Sequence, residues 1–175
     1  SLATSFESAL EGRKGILIAG SAGGGVQSAA KLLAETAMIS GLAATMKGEY
    51  PITVGTGFSL AEVIISRDEI NYTGLEEPDI VIIVSADGLA KVSSRVTKNT
   101  DLYLDKSIDY KGGRHTVKSD FVSAGGKKGA ALSAITTWIQ NSGALSMEAL
   151  AKVASKAKHG DKLLATIARS GSVEA

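Results

Sequence analysis

Short apolar runs and stretches with helical periodicity alternate along the chain. Continuous apolar runs rich in β-branched residues indicate strands buried on both faces, whereas apolar residues recurring every three or four positions indicate helices. The predicted strands are Gly15–Ala19, Leu42–Met46, Phe58–Ser66, Pro78–Ser85, Asp101–Leu104 and Thr116–Val122. The predicted helices are Val26–Ile39, Ala86–Val96, Ala130–Asn141, Ser146–Ala157 and Asp161–Ala168. This alternation predicts a Rossmann-like, three-layer α/β/α sandwich with a mainly parallel sheet.

A glycine-rich turn, Gly20–Gly25, joins the first predicted strand to the first predicted helix. Glycine lets the backbone approach a ligand closely, and the N–H groups in the first turn of a helix have no partner within that helix. Such a turn is typical of an anion-binding site. Glycines in this position also serve only for a tight turn and close helix–strand packing, and both interpretations stay open.

Ligands of α/β folds bind at the carboxyl ends of the parallel strands. Three segments follow such ends in the predicted arrangement: Gly20–Gln27, a loop at Lys47–Gly57, and Ser85–Gly88. We expect these three segments to lie together and to form one candidate site. Elsewhere, a turn at Arg67–Glu69 leads to a predicted short return strand at Ile70–Tyr72.

Charge and cysteine content narrow the classes of function. The 175 residues carry a formal net charge of +1. The small lysine groups, Lys127–Lys128 and Lys152, Lys156 and Lys158, fit a solvated helix face better than a phosphate track, which argues against a nucleic-acid binder. Because the chain has no cysteine, it holds no cysteine-ligated iron–sulfur cluster, thiolate zinc site or cysteine nucleophile.

The domain organisation is expected to be simple. We interpret residues 1–13 as a leader or a cloning remnant and residues 14–175 as a single domain. No apolar run approaches the roughly 20 residues of a membrane span, and no signal peptide is recognisable. We therefore expect a cytoplasmic protein that contacts neither a membrane nor a nucleic acid.

Few side chains are arranged for catalysis. The two histidines, His115 and His159, have no ligand partner at metal-site spacing, so we expect both at ordinary surface positions. Asp79 precedes a strand and is expected to cap local structure, and Asp87 lies in a segment suited to a helix N-cap. Asp105 is expected to be solvated in a polar turn. Nothing matches a Ser-His-Asp triad or a paired-carboxylate site.

Three motifs occur in the order and spacing of a known family. A pattern G-x-G-G-Q-G-V falls on Gly20–Val26. A segment S-Y-G-P-E-x-R-G-G, aligned through the strand that ends at Ser66, places its tyrosine on Tyr50 and its last glycine on Gly57. A Pro-Asp pair before a strand falls on Pro78–Asp79. The chain thereby resembles the gamma subunit, or gamma domain, of the 2-oxoacid:ferredoxin oxidoreductases.

The resemblance implies a multi-subunit enzyme that oxidatively decarboxylates a 2-oxo acid with thiamine diphosphate, iron–sulfur clusters and coenzyme A (CoA). The products would be acyl-CoA, CO2 and reduced ferredoxin. It implies alpha, beta and delta-type partner subunits that carry the thiamine and the clusters, and contact with ferredoxin only through the complex. It implies cofactor contacts, but no catalytic residue, in this chain. The residues concerned are Gly20, Ser21, Gly23, Gly24, Gly25, Val26, Lys47, Tyr50 and Gly57.

Two other interpretations remain open. The family's glutamine falls on Gly24, its second glycine on Ala22 and its arginine on Gly55. Loss of the glutamine and arginine side chains removes a hydrogen-bonding group and a charged group, which is compatible with a purely structural subunit that has lost the site. The other interpretation is a stand-alone nucleotide-binding module built on Gly20–Gln27. Ala22 and the distant Glu49 argue against a dinucleotide fingerprint there.

Overall fold

The computed structural model describes residues 6–51, 57–71 and 77–171. The strands are β1 (Arg13–Ser21), β2 (Ala43–Glu49), β3 (Phe58–Ser66), β4 (Ile80–Ile83), β5 (Asp101–Asp105) and β6 (His115–Ser119). The helices are α1 (Val26–Ile39), α2 (Ala86–Val92), α3 (Phe121–Ser142), α4 (Met147–Lys156) and α5 (Gly160–Arg169). A short 3-10 turn, Ser93–Arg95, continues α2.

The strands form one sheet in the order β2-β3-β1-β4-β5-β6. Strands β1, β4, β5 and β6 pair in parallel. Strand β3 runs antiparallel to both of its neighbours, so β2 points in the same direction as β1. Helices cover both faces of the sheet, and the expected α/β sandwich with a mainly parallel sheet is confirmed.

Strand β1 shows why the apolar runs are continuous. Ile16 and Ile18 face a larger core that contains residues of α1, α3, α4 and α5. Leu17 and Ala19 point the other way into a smaller core, where α2 contributes Val92. All four β1 side chains are completely buried. A central strand covered on both faces needs apolar residues at every position, because successive side chains alternate between the faces.

The junction between β6 and α3 differs from the prediction. Strand β6 ends before Asp120 and α3 begins directly after it, so the predicted strand Thr116–Val122 was too long and the predicted helix start at Ala130 too late. Asp120 caps α3, accepting a hydrogen bond of 3.0 Å from the Ser123 N–H. Gly126, with φ of 70°, interrupts the helix. Glycine is a poor helix former, which hid the first turn of α3 in the sequence.

The expectation that Asp105 is solvated is wrong. Its side chain is 2% exposed and accepts hydrogen bonds from the N–H groups of Phe121 and Val122, at 3.0 and 3.3 Å. It also accepts from the N–H and the hydroxyl of Ser107. The polar neighbours of Asp105 suggest a solvated turn, but α3 starts against this turn and its first N–H groups need an acceptor.

Two further segments also differ in extent. Strand β2 was expected to end at Met46 but continues to Glu49, because β3 offers a partner along this whole length. The return strand expected at Ile70–Tyr72 does not form at Ile70 and Asn71, and Tyr72 lies outside the described residues.

The residues before β1 pack onto the body of the domain. Leu10 is 3% exposed and belongs to the larger core. The Ala9 N–H donates to the carbonyl of Gly143, and the Arg67 side chain donates to the carbonyl of Leu10. Residues 6–11 contain no helix. A leader at residues 1–13 remains a prediction.

Candidate functional site

The carboxyl ends of β1 and β4 border a crevice. At this point the connections that follow the two strands lead to opposite sides of the sheet. After β1 the chain passes through α1 to the β2 side of the sheet, and after β4 it passes through α2 to the β5 side. Helices α1 and α2 pack on opposite faces. A crevice at such a topological switch point is the usual ligand site of open α/β sheets.

Polar side chains join the two walls of this crevice. The hydroxyl of Ser21, at the end of β1, lies 2.8 Å from the Ser85 hydroxyl and 2.9 Å from a carboxylate oxygen of Asp87. Ser85 is the N-cap of α2 and accepts a hydrogen bond from the Gly88 N–H. The predicted convergence of Gly20–Gln27 with Ser85–Gly88 is therefore confirmed.

Tyr50 and Gly57, from the third predicted segment, lie at the same end of the sheet. The Ala22 N–H donates to the Gly57 carbonyl at 2.9 Å. Tyr50, directly after β2, is 65% exposed. The intervening residues 52–56, which include Gly55, lie outside the described residues.

Three glycines of the turn are explained by packing. A β-carbon at Gly20 would lie 2.9 Å from a methyl group of Val26, and one at Gly24 would lie 2.9 Å from the Ser21 carbonyl oxygen. At Gly25 it would lie only 2.0 Å from the carbonyl oxygen of Lys128. Gly20, Gly24 and Gly25 thus let β1, α1 and α3 approach closely, as the packing interpretation predicted.

The amides of the turn are nevertheless partly available. The Gly24 N–H donates to the Ser21 carbonyl at 2.9 Å and cannot also bind a ligand well. Among the described residues, no hydrogen-bond partner lies at the N–H groups of Gly23 and Gly25, which directly precede α1. Because these groups lie at the positive end of the α1 dipole, they can bind an anion. Of the three glycines predicted to contact a cofactor in this turn, Gly23 and Gly25 therefore have N–H groups available, and Gly24 does not.

An open cavity of about 860 Å³ lies beside the turn, and we call it the lysine basin. Gly23 and Gly25 form part of its wall, together with Gln27 and Ser59. The amide of Gln27 donates to the Ser59 hydroxyl and to the Leu60 carbonyl, at 2.9 and 2.7 Å. The basic residues along the wall come from α1, α3, α4, α5 and the α4–α5 connection. They are Lys31, Lys128, Lys156, Lys158, His159 and Lys162.

The basin concentrates positive charge. Five lysines and, among the described wall residues, one carboxylate, Glu35, leave a formal charge of +4 with His159 neutral, against +1 for the entire chain. Sequence reasoning missed this site. It treated Lys127–Lys128 and Lys152, Lys156 and Lys158 as separate surface groups. The only sequence signal was that α4 and α5 meet at a lysine-rich connection near the end of the chain.

Lys47 lies on the other face of the sheet. It is a β2 residue, not a loop residue, and its register partner is Glu62 on β3. It lines a small pocket of about 40 Å³ with Leu17, Glu49, Leu60 and Glu62. Two carboxylates in the wall of this pocket offset its charge, so the structure does not bring Lys47 to the glycine turn.

The described residues show no group of three His, Asp or Glu side chains that could hold a metal ion. His115 is exposed on β6, and His159 is exposed at the start of α5 with φ of 60°. Asp79 accepts a hydrogen bond from the Gly15 N–H at 2.8 Å, which confirms its expected structural role.

Across residues 6–51, 57–71 and 77–171, none of the helices has the length and apolar character needed to cross a bilayer.

Comparison with known families gives one match over most of the chain. The family described as Pyruvate ferredoxin/flavodoxin oxidoreductase matches residues 15–166. Among curated proteins, the 2-oxoglutarate synthase subunit KorC of Archaeoglobus fulgidus is 31% identical over 93 residues, which are 53% of this chain and 50% of that protein. KorC of Methanothermobacter marburgensis is 40% identical over 97 residues, 55% of this chain and 52% of that protein. The match thus spans about half the length of these relatives.

Solved structures share the fold. The gamma subunit of a keto/oxoacid ferredoxin oxidoreductase from Geobacter sulfurreducens has a TM-score of 0.76 at 21% identity, over 91% of this chain and 95% of that one. The pyruvate oxidoreductase subunit PORC of Thermotoga maritima has a TM-score of 0.72 at 19% identity, over 94% and 98%. A 2-oxoglutarate:ferredoxin oxidoreductase from Magnetococcus marinus, with 2-oxoglutarate, coenzyme A and succinyl-CoA bound, has a TM-score of 0.78 at 14% identity, over 92% and 31%.

Proposed function

Because the chain belongs to the pyruvate ferredoxin/flavodoxin oxidoreductase family, we propose that it is the gamma subunit of a 2-oxoacid:ferredoxin oxidoreductase. The complex would decarboxylate a 2-oxo acid, transfer the acyl group to CoA and pass two electrons to ferredoxin. The names of the relatives support this role, since they include a 2-oxoglutarate synthase subunit and a pyruvate oxidoreductase subunit. They differ in substrate, so the 2-oxo acid itself stays open.

Within such a complex the chain would bind and position rather than react. It has no cysteine to ligate iron–sulfur clusters, so alpha, beta and delta-type partners would carry the clusters. Thiamine diphosphate on a partner would supply the carbanion stabilisation that decarboxylation requires. The chain's own contribution would be one wall of the cleft that CoA enters, and contacts that hold the assembly together in the cytoplasm.

One observation supports this assignment of roles: within the described residues, the N–H groups of Gly23 and Gly25, just before α1, have no hydrogen-bond partner. They belong to the turn between β1 and α1, beside the positive end of the α1 dipole, where an anionic group is stabilised. The phosphate groups of CoA match these donors in charge and hydrogen-bonding capacity. Ser21 and Gly57 flank the turn. Lys47 is not part of this proposal, because it faces the other side of the sheet.

The test begins with native purification. Native mass spectrometry of the gently isolated protein should find it with larger subunits that carry thiamine diphosphate and iron. The reconstituted complex should form acyl-CoA and reduce ferredoxin with one of pyruvate, 2-oxoglutarate or 2-oxoisovalerate, and omission of this chain should abolish the CoA-dependent step. A free monomer or homodimer that binds a nucleotide would contradict the proposal and support the stand-alone binding module.

A matched pair of variants tests the amide contact. Gly23 and Gly41 both have positive φ, 78° and 81°, and a β-carbon at either would meet no atom within 4 Å. They lie near opposite ends of α1, and Gly23 is at the crevice. Gly23→Ala should raise the KM for CoA, while Gly41→Ala bears the same backbone strain without that effect. Equal KM values would favour the purely structural subunit.

A further inference from the structure

We infer that the lysine basin binds the phosphate groups of a nucleotide ligand that carries at least two of them. The inference deepens the proposed function and rests on it in one respect: CoA is the phosphorylated nucleotide that such a complex would bind as a substrate. The binding itself is a property of this chain and can be measured on the chain alone.

The geometry of the lysines carries the first step. Lys31 lies on α1, Lys128 on α3 and Lys162 on α5, yet all three line one cavity. The α4–α5 connection adds Lys158. Lysines scattered for solubility point away from one another, because like charges repel. Convergence from separate elements onto one concavity is the arrangement that a multivalent anion stabilises.

The absence of counter-charges carries the second step. Lys31 pairs with Glu35 on its own helix at 3.8 Å. Within the part of the chain that the structure describes, Lys128, Lys156, Lys158 and Lys162 have no carboxylate within salt-bridge distance. Outside the basin, Lys106 pairs with Asp120 at 2.9 Å. The basin therefore keeps unneutralised charge that a bound phosphate would neutralise.

The size of the basin fits a small ligand. Its volume of about 860 Å³ lies within the roughly 300–1,000 Å³ of small-molecule sites. Gly23 and Gly25 line it as well, so the glycine turn and the lysines border the same space. A ligand with phosphates at two places can use both donor sets, whereas a single phosphate uses one.

Close packing of α3 against α5 preforms the basin. A β-carbon at Gly125 would lie 2.7 Å from Thr166, and one at Gly129 would lie 3.1 Å from it. Both glycines and Thr166 line the cavity. The lack of side chains at these two positions favours the close approach of the two helices, which carry Lys128 and Lys162. A preformed site loses little conformational entropy on binding.

The experiment pairs a lysine variant with a truncated ligand. The double variant Lys128→Gln/Lys162→Gln changes two exposed side chains and is expected to fold normally, which thermal unfolding would verify. The control is Lys152→Gln, an exposed lysine on α4 outside the basin wall. In the assembled complex, the double variant should raise the KM for CoA about tenfold or more, with kcat at saturating CoA and the KM for the 2-oxo acid unchanged. Dephospho-CoA, which lacks the 3′-phosphate, should show a smaller difference between wild type and variant.

Calorimetry on the full isolated chain separates this inference from the proposed function. Wild type should bind CoA, ADP and inorganic pyrophosphate, and the double variant should bind each more weakly, with an affinity that falls as salt is added. If the complex is inactive on 2-oxo acids but the lysine-dependent binding persists, the proposed function is wrong and the inference about the lysine basin is supported. An active complex whose variant has unchanged KM and unchanged binding overturns the basin. So does a variant that loses its partner subunits but keeps its affinity, since the basin would then be a protein interface.

Discussion

The α-carbon of Gly25 lies against the backbone of Lys128, so that a β-carbon added at Gly25 would come within 2.0 Å of the Lys128 carbonyl oxygen. Gly25 also has φ of 77°. The start of α1 is thus seated directly on the kinked first half of α3. This contact fixes the position of the glycine turn relative to α3, which forms one wall of the lysine basin.

Gly25→Ala should therefore destabilise the fold by about 2–5 kcal/mol, because steric overlap with backbone adds to the cost of a left-handed conformation. Urea denaturation monitored by circular dichroism measures the change. Gly23→Ala is the control, since Gly23 has a similar φ of 78° but open space around it, and it should cost only about 1–2 kcal/mol. Equal losses in the two variants would refute the role of the Lys128 contact.

Asp105→Ala should destabilise the protein by about 2–4 kcal/mol, because the N–H groups of Phe121 and Val122 lose a buried acceptor. Chemical denaturation at neutral pH gives the value. Asp109→Ala removes an exposed carboxylate four residues away and should change stability by less than about 0.5 kcal/mol. A neutral effect at Asp105 would show that these amides do not depend on the carboxylate.

Asp120 should make the stability of α3 sensitive to acid. A hydrogen bond from the Lys106 ammonium, helped by the Ser123 N–H, lowers the pKa of Asp120 below its usual 3.8. Because the folded-state pKa is depressed, the stabilising contribution is complete above 3.8 and is lost as pH falls through the lowered value. The Tm difference between wild type and Asp120→Asn should therefore be larger at neutral pH than at about one unit below 3.8.

Lys106→Gln tests the cause of that shift. The ion pair between Lys106 and Asp120, at 2.9 Å, is the main reason for the lowered pKa. Removing the ammonium should return the pKa of Asp120 toward 3.8, so the acid-dependent loss of Tm should begin at higher pH than in wild type. An unchanged acid profile would assign the sensitivity to other carboxylates.

Hydrogen bonds from the Gln27 side chain connect the first turn of α1 to β3. The substitution Gln27→Glu should therefore destabilise the protein by about 1–3 kcal/mol. A carboxylate cannot donate to the Leu60 carbonyl, which the Gln27 amide reaches at 2.7 Å. The substitution preserves size, so the loss would come from hydrogen bonding. Gln140→Glu, at an exposed position of α3, is the control, and thermal unfolding of both variants gives the comparison. A Gln27→Glu variant as stable as wild type would contradict the role of these hydrogen bonds.

Local signals were sufficient for most elements. The run Phe58–Ser66 is β3 residue for residue, and Val26–Ile39 is α1. Ser146, the first residue of the predicted helix Ser146–Ala157, caps α4 by accepting a hydrogen bond from the Ala149 N–H. Each of these elements has an apolar period, a cap or a terminating glycine within a few residues, so its limits depend on neighbours in the chain.

Long-range packing decided what local signals could not. Asp105 is buried because α3 begins above it, and Lys47 lies on a strand because β3 extends far enough to pair with it. Neither partner is near in sequence. The start of α3 was missed for the related reason that glycine-rich residues carry little helical signal, and the close packing of Gly125 and Gly129 against Thr166 is a contact between distant parts of the chain.

By itself, the sequence determined the α/β class, the order of the elements, the family and the crevice at the glycine turn. These follow from hydrophobic period and short motifs, which are properties of neighbouring residues. Only the tertiary structure decided which glycines serve packing, that Lys47 faces away from the crevice, and that Lys31, Lys128 and Lys162 share one cavity. The physical reason is distance along the chain. Lysines on separate helices become neighbours only when the helices pack on the sheet, and a local sequence pattern contains no information about that packing.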